Sequence, residues 1–288
     1  MPNWVRNRVV ALNPQELKKH IIDESGAVDF NMVIPMPKDL EITSGSYSYE
    51  AQNSIYFSEY TKQKIEKQVK VDKLLAVHYD SNKTQQEFLD ECLEDNKILA
   101  EIRKIKSLKL RGENKTSVSN VVEAYDTFIK GYFNVQRYGS KDWYDWRIKN
   151  WGTKWNASDS SFNEETGVVE FDTAWSMPEN IFRTLSHFTP LRVVYADEDL
   201  GSNCGMEDYF VDEDGNEHLE VVMEGSVELA NDTWGYSHIS VYDSEVDDWI
   251  EDEENPKFIY ANKDYHQTQE EINRLMSPST IQKDFVEV

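Results

Sequence analysis

Apolar residues open the chain in the interleaved pattern of a half-buried strand. Val5, Val9, Val10 and Leu12 alternate with Arg6, Asn7 and Arg8. Asn13-Pro14-Gln15-Glu16 then predicts a helix start. Asn13 can cap, Pro14 suits the first helical position, and Glu16 can reach back as in a capping box. Leu17, Ile21 and Ile22 supply the apolar face of that helix, and Gly26 ends it. Val28 to Ile34 alternates apolar and polar residues at first and predicts a second strand, stopped by Pro35 and Pro37 because proline cannot donate to a ladder. The opening segment thus predicts a β-α-β unit.

The pattern weakens after Lys38. Ser44 to Ser48 reads as loop, and Ile55 to about Lys73 as a helix with exposed lysines. Thr84 caps a predicted helix from Gln85 to about Leu99, with Phe88, Leu89, Cys92 and Leu93 at helical spacing. Arg111-Gly112-Glu113-Asn114 reads as a break. A further helix runs from Val118 to about Phe133, with Val121, Val122, Tyr125, Phe128 and Ile129 inward, and a short one from Lys141 to Ile148.

Dense structure returns after a predicted loop from Asn156 to Glu165. Gly167 to Trp175 reads as a strand, and Ser176, with Glu179 three residues on, as the cap of a helix. Ile181, Phe182, Leu185 and Phe188 give that helix its apolar side. Leu191 to Ala196 is the next strand, and Tyr209–Val211 and His218–Val222 are hairpin arms around the Asp-Gly turn of Asp212 to Asn216. Thr268 to Met276 reads as a short helix in the tail. The sum is an α+β chain: a ferredoxin-like antiparallel sheet with βαβ-type units, a large helical insertion and an acidic C-terminal extension. Residues 1–37 and 151–225 form the two parts of the core, 38–150 the insertion and 226–288 the extension.

Charge changes the picture. The formal net charge is −24, and it is not evenly spread. From Asp197 to Pro256 there are 21 Asp and Glu and no Lys or Arg, which leaves 33 acidic against 30 basic residues elsewhere. Within that region Asp243, Glu245, Asp247, Asp248, Glu251, Asp252, Glu253 and Glu254 flank Trp249 and Ile250. This is either a solvated linker or an interaction segment, in which apolar anchors supply contact energy and carboxylates steer encounter with a basic partner. The same charge disfavours direct nucleic-acid binding.

Five of the eight tryptophans fall between Trp143 and Trp175. Trp151, Trp155 and Trp175, with Lys154, Asn156 and Asp172, form either a core anchor or a ligand cluster, since an indole combines a large apolar surface with one N–H that needs a partner. The remaining chemistry is sparse. Six histidines are scattered without metal-ligand spacing, so no metal and no cofactor is expected. Asp212-Glu213-Asp214-Gly215 lacks the downstream ligands of a calcium loop. There is no G-x-S-x-G elbow and no phosphate-binding loop. Cys92 and Cys204 lie far apart, which fits a reducing compartment. No apolar run approaches the roughly 20 residues of a membrane span, and the start lacks a signal-peptide h-region. A cytoplasmic chain is expected.

Several of these stretches together resemble the YubB-type ferredoxin-like proteins of bacteriophages and conjugative plasmids. They are Asn3-Trp4 with Asn7, Phe30 to Pro37, Trp151-Gly152-Thr153-Lys154-Trp155-Asn156-Ala157, Phe171 to Pro178, Tyr195-Ala196-Asp197, and Gly201 to Gly205. The resemblance covers about residues 1–40 and 145–225. Where that family often carries a cysteine after the first tryptophan, this chain has Val5. The resemblance implies a ferredoxin-like fold and a mobile-element origin, without a reaction.

Three functions follow as expectations. The first is a non-enzymatic phage or plasmid accessory protein that binds a host protein with a basic surface, such as a defence nuclease, as a counter-defence inhibitor. The second is an enzyme or small-ligand binder built on Trp151, Lys154, Trp155, Asn156, Asp172 and Trp175. The third is a homo-oligomeric structural protein.

Overall fold

The computed structural model describes residues 3–44, 73–97, 100, 118–245, 247–250 and 252–286. In chain order its elements are β1 (Trp4–Ala11), α1 (Pro14–Ile21), α2 (Phe30–Val33), α3 (Gln85–Glu94), α4 (Val118–Tyr138), α5 (Trp143–Trp151), β2 (Ser158–Phe162), β3 (Val169–Ala174), α6 (Glu179–Ser186), β4 (Leu191–Asp197), β5 (Cys204–Val211), β6 (Glu217–Met223), α7 (Val227–Thr233), β7 (Val241–Asp243), β8 (Asp248–Ile250), α8 (Pro256–Asn262), α9 (Tyr265–Leu275) and α10 (Pro278–Val286). The chain divides into two compact units, one of residues 1–35 and 148–288, the other of residues 36–147.

The first unit is built on an antiparallel sheet of order β2-β3-β1-β4-β5-β6. Both β3 and β4 pair antiparallel with β1, so they run parallel to each other with β1 between them. With α6 as the crossover they make the split βαβ unit of a ferredoxin-like fold. Alternation sorts β1 cleanly. Val5, Asn7, Val9 and Ala11 are buried on one face, which α1 and α6 cover with Leu17, Ile21, Ile181, Phe182 and Leu185. Asn7 survives in that core because its amide donates to Val5 O, Phe171 O and Thr173 Oγ1.

The opposite face is covered by the C-terminal helices. Val10, Val194 and Met206 of the sheet pack with Leu229 of α7, Ile272 and Met276 of α9 and its end, and Ile281 of α10. Burying each such side chain stabilises by about 2 kcal/mol before chain entropy is counted. The acidic extension therefore carries the second cover of the sheet, and its structured part extends well beyond the short helix expected from Thr268 to Met276.

Four local expectations are corrected. Val28 to Ile34 is not a strand: Phe30–Val33 is a helical turn. Asp29 Oδ1 accepts from Asn31 N and Asn31 Nδ2, and Asn156 Oδ1 accepts from Phe30 N, so side chains take the donors that a ladder would have used. Asn13 does cap α1, but Glu16 does not reach back, because Asn13 N donates to Thr189 Oγ1 and Glu16 pairs with Lys19 instead. The Asn156–Glu165 segment is no simple loop; it holds β2, a polar edge strand with a bulge between Ser158 and Ser161. Ser176 is not the cap of α6, which starts at Glu179 after Pro178; its hydroxyl donates to Gly152 O at 2.5 Å.

The second unit contains α3 and α4. Thr84 and Glu87 form a capping box at α3. Phe88, Leu89 and Cys92 are buried, as are Ile129 and Phe133 of α4, with Phe88 and Phe133 ring centroids 4.8 Å apart. Asn134 donates to Asp39 O and Lys141 O and accepts from Gln85, tying the pair to its flanks. The helix expected to run from Gln85 to about Leu99 stops at Glu94, because Asp95 takes an extended backbone and its N–H donates to Glu91 O. Residues 55–72 of the expected 55–73 helix, residues 98–99 and the expected break at 111–114 lie outside the described residues, as do the side chains of Val121, Val122, Tyr125 and Phe128.

Candidate functional site

The acidic segment folds into a small hairpin. Val241 pairs with Ile250, Tyr242 with Trp249 and Asp243 with Asp248 across β7 and β8. Asp247 takes the left-handed backbone of the turn, at φ 60°, and its N–H donates to Asp243 O. Tyr242 and Trp249 meet edge to face, with ring centroids 5.4 Å apart, and the Tyr242 hydroxyl donates to Asp247 Oδ1. That bond raises the Tyr242 pKa above its ordinary value.

Helix α8 holds the hairpin in place. Lys257 Nζ lies 2.9 Å from Asp243 Oδ1 and 3.2 Å from Glu245 Oε2, and the first contact holds the Asp243 carboxyl below its usual range. Asn262 fixes the approach to β7, accepting from Ile239 N and donating to Ile239 O. Asn255 caps α8 by accepting from Lys257 N, and Pro256 takes its first position.

Four large apolar side chains stand exposed on this hairpin and helix: Tyr242, Trp249, Ile259 and Tyr260. Trp249 is 58% exposed and Tyr260 81%, which is unusual for residues that gain so much from burial. Around them Asp247, Asp248, Asp252, Glu253 and Glu254 are exposed and have no ion-pair partner among the described residues, while Ile250 is half-buried. Glu251 lies outside the described residues. Sequence reasoning missed Tyr242, Ile259 and Tyr260, although Asn255-Pro256 is a helix-start signal that could have placed the last two.

The six residues of the expected ligand cluster do not converge. Trp151 is fully buried, packs edge-on against Phe30 and donates its indole N–H to Ile34 O at 2.9 Å. Gly152 follows at φ +89°, and a Cβ there would sit 3.2 Å from Glu179 N and 3.3 Å from Met177 O, so glycine is required. Asn156 serves α2, donating to Asp29 Oδ1 and accepting from Phe30 N. Asp172 points to the other sheet face and binds Arg6 through two bonds of 3.0 and 3.2 Å. Only Trp155 and Trp175 share a site, and Lys154 fills it: its ammonium lies 3.9 Å from both ring centroids. Trp175 is 50% exposed and adopts a left-handed backbone, φ 68°, held by bonds to Asn3 O and from Asn203 Nδ2.

A polar cleft of about 300 Å³ opens where β1 and β3 meet α7 and α9. It was not foreseen, since its residues come from four separate stretches. Among the described residues no group of three or more His, Cys, Asp or Glu is placed to hold a metal ion, and Cys92 and Cys204 are free thiols. Among them, too, no helix is long and apolar enough to cross a membrane.

No curated protein and no solved structure matches the chain. Residues 150–235, which run from the end of α5 through the split βαβ unit and the β5–β6 hairpin to α7, match the family model described as a ferredoxin-like domain in Api92-like protein.

Proposed function

We propose that this protein acts by binding another protein, through the acidic hairpin and α8, and not by catalysis. The observation that carries this reading is the exposed Tyr242–Trp249 pair set among Asp247, Asp248, Asp252, Glu253 and Glu254, which have no ion-pair partner among the described residues. Exposed aromatics on a clamped hairpin are preorganised anchors, and a surrounding field of one sign speeds encounter with a basic surface. Carboxylates spaced along such a face also imitate a phosphate backbone, so the partner class this surface suits best is a nucleic-acid enzyme. In this reading the chain is an accessory protein of a bacteriophage or conjugative plasmid, of the YubB type it resembles, acting in the host cytoplasm to occlude a defence nuclease.

The test is affinity capture from a bacterial lysate at low salt. The baits are wild type, a variant with Asp247, Asp248, Asp252, Glu253 and Glu254 converted to amides, and Trp249→Ala. A basic nucleic-acid enzyme retained by wild type and lost by both variants is expected. The same partners on all three baits would defeat the proposal, and self-association through this face would show as a salt-dependent change of size in solution.

A further inference from the structure

We propose that the polar cleft beneath α7 and α9 is a binding site for a neutral, hydroxyl-rich small molecule, a mono- or disaccharide, separate from the acidic hairpin. Its volume, about 300 Å³, sits at the lower end of small-ligand sites.

The charged groups around the cleft are already matched. Arg6 is bound by Asp172, while Arg8 lies 3.1 Å from both Asp232 Oδ2 and Glu170 Oε1. An ionic ligand would have to break one of these pairs, so a neutral one is favoured. The guanidinium of Arg6 also lies 4.4 Å from the Trp234 ring centroid, and the Trp234 indole N–H donates to Ala196 O. With one ring face taken by Arg6, Trp234 gives a flat base a poor stacking platform, which argues against a nucleoside.

What remains unused is hydrogen-bonding capacity. Gln269 and Asn273 stand one helical turn apart on α9, so their amides share a face, and neither has a hydrogen-bond partner among the described residues. Arg8 Nε, 3.1 Å from Glu170 Oε1, is buried in the wall of the cleft and is not offered to a ligand. The Glu170 side chain is 47% exposed and offers an acceptor at the rim. Two amides that both donate and accept, beside a carboxylate that accepts, are complementary to a set of hydroxyls, each of which does both.

The experiment is saturation-transfer NMR on the full chain, with titration for affinity. Its probes are the methyl glycosides of glucose, galactose and mannose, N-acetylglucosamine, and adenosine and uridine as nucleoside arms. At least one saccharide should receive saturation, and Gln269→Ala with Asn273→Ala should weaken it about thirtyfold, the loss of two hydrogen bonds. Neither side chain is buried, so this double variant should keep the wild-type unfolding temperature. Trp249→Ala should bind the saccharide as wild type does, which separates this site from the hairpin. No saccharide signal, a nucleoside signal alone, or unchanged saccharide affinity in the double variant would overturn the assignment.

Discussion

Replacing Arg192 by alanine should be among the most damaging single changes in the first unit. Its side chain is 3% exposed, and its Nε and Nη2 each donate to an Asp208 carboxylate oxygen at 2.7 Å. The same guanidinium donates to Leu275 O at the end of α9 and to Asp284 Oδ2 on α10, both at 3.0 Å. One cation thus pins the last two helices to the sheet. Without it Asp208, at 9% side-chain exposure, is a carboxylate stranded in a dry site. Removing one partner of a buried pair costs about 3–5 kcal/mol, roughly 150- to 5,000-fold in the folding equilibrium. Losing only the outer arm, with Asp284→Asn, should cost less than about 1 kcal/mol, because that carboxylate is 37% exposed. Arg192→Met combined with Asp208→Leu removes the stranded charge and should recover most of the loss, leaving about 1 kcal/mol for the orphaned Leu275 carbonyl. Urea unfolding followed by tryptophan fluorescence measures all three. A cost below about 1 kcal/mol for Arg192→Ala, or a double variant as damaged as the single, would refute the clamp.

Other consequences can be checked directly. Burial pushes the Cys92 thiol up to about 12, with Glu91 and Asp95 adding to it, so Cys92 should stay unlabelled by a disulfide reagent at pH 8 until the protein is unfolded. Bonds from His218 and Asn216 hold Asp212 well below the ordinary aspartate range. A depressed carboxylate contributes stability above its unfolded-state value and loses it as pH falls through its folded value. The β5–β6 turn should therefore hold above about pH 4 and loosen only in stronger acid, as read from the Asn216 amide resonance, and Asp212→Asn should remove that acid transition. Asn156→Ala leaves the Phe30 N–H without its acceptor and removes one of the three bonds to Asp29 Oδ1, and it should lower stability by about 1–3 kcal/mol in the same urea experiment.

How much of this was legible follows from range in sequence. Strand β1, the capped α1 and α3, and the Asp-Gly hairpin were readable, because their signals are local: a two-residue period, a cap within three residues, a glycine at φ +86° in Gly215. Phe30–Val33 misled because its alternation is genuine, yet the bond deciding its conformation comes from Asn156, 126 residues away. β2 was invisible because Ser158-Asp159-Ser160-Ser161 pairs as a polar edge with no apolar period. The acidic segment was found by charge alone. That it forms a hairpin with an exposed aromatic pair depends on Asp247 adopting a left-handed turn and on Lys257 reaching back to Asp243. The Arg192 clamp and the polar cleft are products of sheet register, where Arg192 faces Asp208 and Arg8 faces Glu170, and a single sequence does not display register.

The central claim is that the hairpin is an interface, and the most direct test is the binding kinetics of the captured partner across a salt series. Trp249→Ala should dissociate at least about tenfold faster with its association rate nearly unchanged, as expected for an aromatic anchor. The amide variant should associate more slowly and lose most of the salt dependence, as expected for charge steering. Wild-type rates in both variants would contradict the account and take the acidic hairpin out of the function of this protein.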